Sequence, residues 1–144
     1  MPSRDTYHQR VKNALIKDGW EITDDPYVIS YGERFLFIDL GATNIDNSSG
    51  VIGAIRGKEK IAIEIKNFRS KSPIVDLEGA IGQYVLYQLL LQQIEPERVI
   101  YLAITQEMKN EIFSEPLGEL VIEKLPLRLI IIDVEKDEVK QWIN

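Results

Sequence analysis

The fold is decided by the run Ile-Ala-Ile-Glu-Ile-Lys at residues 61–66, whose alternation predicts a β-strand. Side chains on a strand alternate between its two faces, so the three isoleucines share one face while Ala62, Glu64 and Lys66 share the other. Charge on a buried or half-buried face is costly unless it is paired or coordinates a metal ion. The face that carries Glu64 and Lys66 is therefore a candidate functional site.

A second acidic residue, Asp39, lies near the end of an apolar run at residues 35–40 that also predicts a strand. Hydrolysis of a phosphodiester needs a nucleophilic water, a neutralised phosphate and a stabilised leaving oxygen, and divalent metal ions supply all three. We expect Asp39 and Glu64 to bind Mg²⁺ or Mn²⁺, with the backbone carbonyl of Ile65 as a further ligand. Lys66 would orient or deprotonate the water or stabilise negative charge. Glu-x-Lys alone is a weak pattern, and a structural Glu–Lys pair on a solvated sheet face is the alternative.

Composition excludes several other kinds of site. The 144-residue chain has no cysteine and one histidine, His8, which excludes disulfides, thiolate metal sites and multi-histidine zinc sites within one chain. Its length and its ordinary content of 44% hydrophobic and 28% charged residues predict one domain over residues 1–144. Since no apolar run reaches the ~20 residues that span a membrane, we expect a cytoplasmic protein with no membrane partner.

Charge is distributed unevenly along the chain. The formal net charge of −6 disfavours indiscriminate binding to nucleic acid. Residues 56–71, however, carry six basic side chains against two acidic ones and surround the Glu-x-Lys strand. This cluster predicts DNA contacts by Arg56, Lys58, Arg69 and Lys71, and a solvated strand end and loop is the alternative.

Two predicted helices add polar residues to this site. The helix after the Glu-x-Lys strand places Gln83 and Tyr87 one turn apart on a shared face, where they would support the site or contact phosphate. On the first helix, His8 and Lys12 are one turn apart and would reach the metal site or a phosphate. The alternatives are a polar helix flank for Gln83 and Tyr87 and a partly exposed structural histidine for His8.

The remaining pattern predicts an α/β or α+β fold with a mixed sheet. We expect a first helix that is capped by Asp5, and a second helix that begins at Ser72-Pro73 and buries a stripe of apolar residues. That stripe is Ile74, Leu77, Ile81 and Tyr84. The predicted helices cover residues 5–17, 72–93 and 107–113, the predicted strands cover 20–22, 27–31, 35–40, 60–66, 99–105, 127–133 and 139–143, and residues 41–57 form a loop.

The set Asp39, Glu64-x-Lys66 and Gln83-x-x-x-Tyr87 resembles the PD-(D/E)xK nuclease superfamily in its RecB-type variant. Over its whole length the chain resembles more specifically the XisH family, the fdxN-element excision controlling factors known mainly from cyanobacteria. The matching segments are residues 5–8, 11–20, 37–42, 61–66, 82–87, 95–98 and 141–143.

The resemblance implies a restriction-endonuclease-like mixed sheet flanked by helices. It also implies a part in excising a DNA element by site-specific recombination, with DNA, a recombinase and a small XisI-type protein as partners. A homo-oligomer and a defence role shared with the XisI-type protein are left open. The chain has Ile38 where the superfamily's name has proline, and its first helix offers His8 and Lys12 where relatives often have a glutamate. The missing glutamate on the first helix and the net acidity favour an alternative function, a catalytically inactive module that acts through protein contacts.

Overall fold

The computed structural model describes residues 4–45, 58–67 and 71–144. The helices and strands, in chain order, are α1 (Arg4–Lys17), β1 (Glu21–Asp24), β2 (Tyr27–Tyr31), β3 (Arg34–Ile38), β4 (Leu40–Ile45), β5 (Lys58–Ile65), α2 (Pro73–Ile94), β6 (Arg98–Thr105), α3 (Gln106–Glu111), α4 (Pro116–Lys124), β7 (Leu129–Asp133) and β8 (Glu138–Ile143).

The strands form a mixed six-stranded sheet and a separate hairpin. The order in the large sheet is β1-β4-β5-β6-β7-β8, and the hairpin is β2-β3. The central strands β5, β6 and β7 are parallel, whereas the pairs β1–β4, β4–β5 and β7–β8 are antiparallel. The predicted fold class, a mixed sheet flanked by helices, is confirmed.

Alternation along the central strands divides the core into two layers. On β5, Ile61 and Ile63 pack towards α1, whereas Ala62 packs towards α2 and the β2-β3 hairpin. Strands buried on both faces read as continuous apolar runs, and β6 and β7 follow that rule. Glu64 has the same parity as Ala62 and therefore lies on the α2 side of the sheet.

The start of α2 confirms the prediction at Ser72-Pro73. Ser72 is the N-cap, and its side chain accepts a hydrogen bond from the Val75 backbone N–H. The predicted apolar stripe was partly wrong, because Leu77 and Tyr84 are buried but Ile74 is 42% exposed. The helix is apolar on most sides, so its periodicity does not single out the core face.

The strand predicted over residues 35–40 is divided at Asp39. β3 ends at Ile38 and pairs with β2, and β4 then begins at Leu40 and pairs with β1 and β5. Because the chain changes its hydrogen-bonding partners here, residues 41–45 belong to a strand, β4, where we expected the start of a long loop. Residues 46–57 of that loop lie outside the described part of the chain.

Three smaller expectations were also wrong. Helix α1 begins at Arg4, so Asp5 lies in its first turn and is not the cap. The first strand is Glu21–Asp24, shifted towards the following turn. The segment around Gly118, where we predicted neither a helix nor a strand, is the helix α4. None of the described helices is long and apolar enough to cross a membrane.

Candidate active site

A cavity of about 360 Å³ lies at the carboxyl end of β5. It is bounded by the sheet, by α2 and by the amino-terminal half of α1. The residues that line it are Tyr7, His8, Asp39, Glu64, Ile65, Lys66, Asn67 and Gln83. The fold therefore brings together the three residues predicted to be catalytic and two of the four predicted to support them.

Asp39 and Glu64 are linked to each other through the backbone. The Asp39 backbone N–H donates to Glu64 Oε1 at 3.2 Å, and the Ile65 backbone N–H donates to Asp39 Oδ2 at 2.8 Å. The first of these bonds exists because Asp39 lies in the gap between β3 and β4. The division of the predicted strand thus places a second carboxylate beside the first.

Glu64 is buried, with only 6% of its surface exposed. Burial, followed by the negative charge of Asp39, raises the pKa of Glu64 to about 7. Lys66 acts in the opposite direction, since its Nζ lies 3.6 Å from Glu64 Oε2. A buried carboxyl group with a raised pKa, beside a second carboxylate and a lysine, is typical of a functional site.

The raised pKa makes the stability of the metal-free protein depend on pH. The folded state holds the Glu64 proton more tightly than the unfolded state, whose pKa is near the ordinary value of 4.5. The resulting stabilisation is complete below pH 4.5 and is lost as the pH rises through about 7. Glu64→Gln, which keeps a neutral side chain at every pH, should therefore become more stable relative to the wild type as the pH rises.

We expect this relative gain to be of the order of 2 kcal/mol in the free energy of unfolding between about pH 5 and about pH 8. Thermal melts in a chelating buffer would measure it. Glu123→Gln, on an exposed residue that pairs with the adjacent Lys124, is the matched control and should show no such trend. A difference between Glu64→Gln and wild type that stays constant with pH would contradict the assignment.

Helix α2 supplies Gln83 and Tyr87, one turn apart as predicted. Gln83 lines the cavity, and its Oε1 is buried without a hydrogen-bond partner among the described residues. Tyr87 is buried, and its hydroxyl donates to the Phe37 carbonyl oxygen at 3.3 Å, which ties α2 to β3 two residues before Asp39. Burial, and then the charges of Glu64 and Asp39, raise the pKa of Tyr87 to about 12, so it stays a neutral donor.

Helix α1 brings His8 to the cavity but directs Lys12 to a different carboxylate. His8 Nε2 lies 2.7 Å from Asp25 Oδ1, and Lys12 Nζ donates to Asp25 Oδ2 at 2.8 Å. The hydrogen bond from Lys12 is the largest cause of the lowered pKa of Asp25. Sequence reasoning missed Asp25, because this residue falls in the short connection between the predicted strands 20–22 and 27–31. His8 is thus both a cavity residue and a partly exposed, paired histidine.

The donor set fits a metal ion that takes few ligands from the protein. Among the described residues there is no group of three or more His, Cys, Asp or Glu side chains that could hold a metal ion. Mg²⁺, however, usually keeps several waters and binds through one or two carboxylates, and Asp39 and Glu64 are such a pair. The unpartnered oxygen of Gln83 adds a further oxygen donor on the cavity wall. The carbonyl of Ile65 stays a predicted ligand.

The predicted DNA-binding residues are only partly described. Arg56 and Arg69 lie outside the described residues, and Lys71 is exposed just before α2. Lys58 begins β5, six residues before Glu64, so its backbone lies about 20 Å from the cavity along the strand. A DNA contact by Lys58 would therefore extend well beyond the cavity, and DNA binding by all four residues stays a prediction.

Comparison with known proteins identifies the chain's relatives. A protein-family model described as XisH protein matches residues 1–140. An fdxN element excision controlling factor protein from Anabaena variabilis has a similar crystal structure, with 36% identity, a TM-score of 0.83, and coverage of 98% of this chain and 100% of that one. An XisH family protein from Nostoc punctiforme has 36% identity and a TM-score of 0.82, with coverage of 97% and 100%. No curated protein matches significantly. The family match spans nearly the whole sequence, and both crystal structures have the fold of this chain. This chain therefore belongs to the XisH family.

Proposed function

We propose that this chain controls the excision of a DNA element by site-specific recombination, and that it does so with a divalent metal site of the PD-(D/E)xK type. The first part is supported by the similarity to the fdxN element excision controlling factor protein from Anabaena variabilis. The second part rests on one observation, the pair of carboxylates that Asp39 and Glu64 place in one cavity with Lys66.

Each residue of the cavity would have its own role. Asp39 and Glu64 would hold Mg²⁺ or Mn²⁺, which supplies Lewis-acid stabilisation of a phosphate and lowers the pKa of a bound water. Lys66, whose side chain is 23% exposed and borders the cavity, would orient the attacking water or neutralise developing negative charge. Tyr87 would hold α2 against β3 and so keep Gln83 on the cavity wall.

The partners implied by this function are DNA, a site-specific recombinase and an XisI-type protein. An alternative is a catalytically inactive module of the same fold that acts through the XisI-type protein. It is favoured by the internal hydrogen bonds of both carboxylates and by the net charge of −6. The sequence of α1 also favours it. His8 and Lys12 of this helix pair with Asp25, and α1 contributes no carboxylate to the described residues that line the cavity.

An excision assay in cells separates the two functions. The reporter would be an element excised by its own recombinase in a host that lacks the chromosomal copy of this protein. Under the metal-site function, Asp39→Ala and Lys66→Ala should each abolish excision although both proteins fold. Lys124→Ala, which removes an exposed lysine far along the chain on α4, is the matched control and should excise normally.

Normal excision by a folded Lys66→Ala protein would reject the catalytic site and support the inactive module. Loss of excision in Lys124→Ala as well would show that the assay reports general damage. Thermal melts of each purified variant verify that the domain folds.

A further inference from the structure

A second cavity, of about 530 Å³, lies on the other side of the sheet from Glu64. It is formed at the amino ends of β5 and β6, where Ile61, Val99 and Tyr101 point towards the α1 side of the sheet. The cavity of the candidate active site lies at the carboxyl end of β5. The two cavities therefore lie at opposite ends of the same strand.

Three aromatic rings line this second cavity. The centroids of Trp20 and Trp142 are 5.6 Å apart with a tilt of 37°, and Tyr101 meets Trp142 edge to face at 5.2 Å. Trp20 is buried, whereas Tyr101 and Trp142 are half-buried, so these two rings border the cavity with aromatic surface. An organic cation can stack on such a surface.

The polar residues of the cavity are predominantly acidic. Asp18, Glu59 and Glu97 line it and are exposed, against one basic residue, Lys60. The Lys60 ammonium is already paired, since its Nζ lies 3.3 Å from Glu95 and 3.4 Å from Glu97. Asp18 is held at the edge of the aromatic group, because its Oδ2 accepts a hydrogen bond from Trp142 Nε1 at 3.1 Å.

We propose that this cavity binds an arginine side chain of a protein partner. A guanidinium group stacks on aromatic faces and donates in-plane hydrogen bonds to carboxylates, and the cavity offers both kinds of surface together. Phosphate is disfavoured by the three carboxylates, so the occupant is a basic protein segment and not a nucleic acid. The inference does not depend on the metal site.

The location gives this contact a clear role. A partner anchored here leaves the cavity around Glu64 open, because that cavity lies at the other end of β5. One chain thereby holds a protein partner at one end while the other end remains accessible. A single arginine binds such a site only weakly, with a dissociation constant of roughly millimolar order, and the rest of the partner's surface provides further affinity.

NMR titration of the full chain tests the proposal directly. The sequence has two tryptophans, and Trp20 and Trp142 both line this cavity, so their indole N–H signals report on it alone. The probe is Nα-acetyl-arginine amide, taken to tens of millimolar at constant ionic strength. The matched probe is Nα-acetyl-citrulline amide, which has nearly the same shape and no charge.

We expect saturable shifts of the indole signals with the arginine probe and binding at least about ten-fold weaker with citrulline. Asp18→Asn should weaken arginine binding several-fold, whereas Glu123→Gln, which removes the same charge from exposed α4, should leave it unchanged. Trp142→Leu should remove it, and Asp18→Asn remains decisive if Trp142→Leu fails to fold. Equal shifts with both probes, no saturable shift, or full binding by Asp18→Asn would overturn the proposal.

Discussion

Glu64→Gln and Lys66→Gln should each slow nicking of supercoiled plasmid in Mg²⁺ or Mn²⁺ by at least about 10³-fold relative to the wild type. Glu64→Gln removes the charge that would hold the metal, while the amide still fits the space and still accepts the Asp39 N–H. Lys66→Gln removes the cation beside it, 3.6 Å from Glu64 Oε2. Both changes act on transition-state charge, so the rate should fall while DNA binding changes little.

Gel separation of supercoiled and nicked plasmid over time would measure these rates. The matched controls are Glu123→Gln and Lys124→Gln, which change the same residue types at an exposed pair on α4. Both controls should nick at the wild-type rate. Nicking by Glu64→Gln at that rate, or nicking that persists in a chelator, would show that the activity does not come from this site.

Gly118→Ala should destabilise the protein by about 3 kcal/mol and lower its melting temperature by roughly 10 °C. A Cβ at this position would lie 2.2 Å from the Ile112 carbonyl oxygen and 2.5 Å from the Phe113 Cα. These are backbone atoms at the end of α3, so no side-chain rotation relieves the clash. Helix α4 would have to move away from the core residues that it covers.

Gly79→Ala is the matched control for this change. Gly79 also lies in a helix, α2, but a Cβ built there meets nothing within 4 Å. Alanine should therefore raise stability by about 0.5–1 kcal/mol, because glycine is a poor helix former. Differential scanning calorimetry should show a lower melting temperature for Gly118→Ala and a higher one for Gly79→Ala. A Gly118→Ala protein with the melting temperature of the wild type would contradict the close packing of α4 on α3.

The centre of the fold was predictable because its strands carry strong alternating patterns. The predicted strand at residues 61–66 corresponds to β5, which spans Lys58–Ile65. Its alternation correctly places the isoleucines on one face of the sheet and Glu64 on the other. The approach of Asp39 to Glu64 was also predictable. Both are charged residues next to apolar strands, and burying such a charge is costly unless it lies in a polar site. The XisH resemblance, carried by short motifs along the chain, is confirmed by the family match over residues 1–140.

The division of the strand at Asp39 was not predictable from alternation. Phe35 and Phe37 are 68% and 57% exposed, although all four residues from 35 to 38 are apolar, as they are in a core strand. Periodicity reports which residues share a face but not which strand lies alongside. The transfer of the chain from β2 to β1 and β5 depends on pairing between segments that are distant in the sequence.

The pairing of His8 and Lys12 with Asp25 was missed for a similar reason. The three residues lie on a helix and a turn that meet only in the folded chain. Helix α4 was missed because Gly118 and Pro116 indicate a break, whereas the proline occupies the first turn and the glycine permits close packing. In both cases tertiary contacts, and not local propensity, decide the structure.

The central claim is that Asp39 and Glu64 form a divalent metal site, and calorimetric titration of Mn²⁺ tests it most directly. The titration is run at about pH 6, one unit below the Glu64 pKa of about 7, where Glu64 is largely protonated, in two buffers that differ in ionisation enthalpy. The wild type should bind Mn²⁺ and release a proton, because a carboxylate must lose its proton to become a ligand. Glu64→Gln should lose both the binding and the proton release, with Glu123→Gln unchanged. A wild type that binds no Mn²⁺, or a Glu64→Gln protein that binds it with unchanged affinity, would contradict the claim.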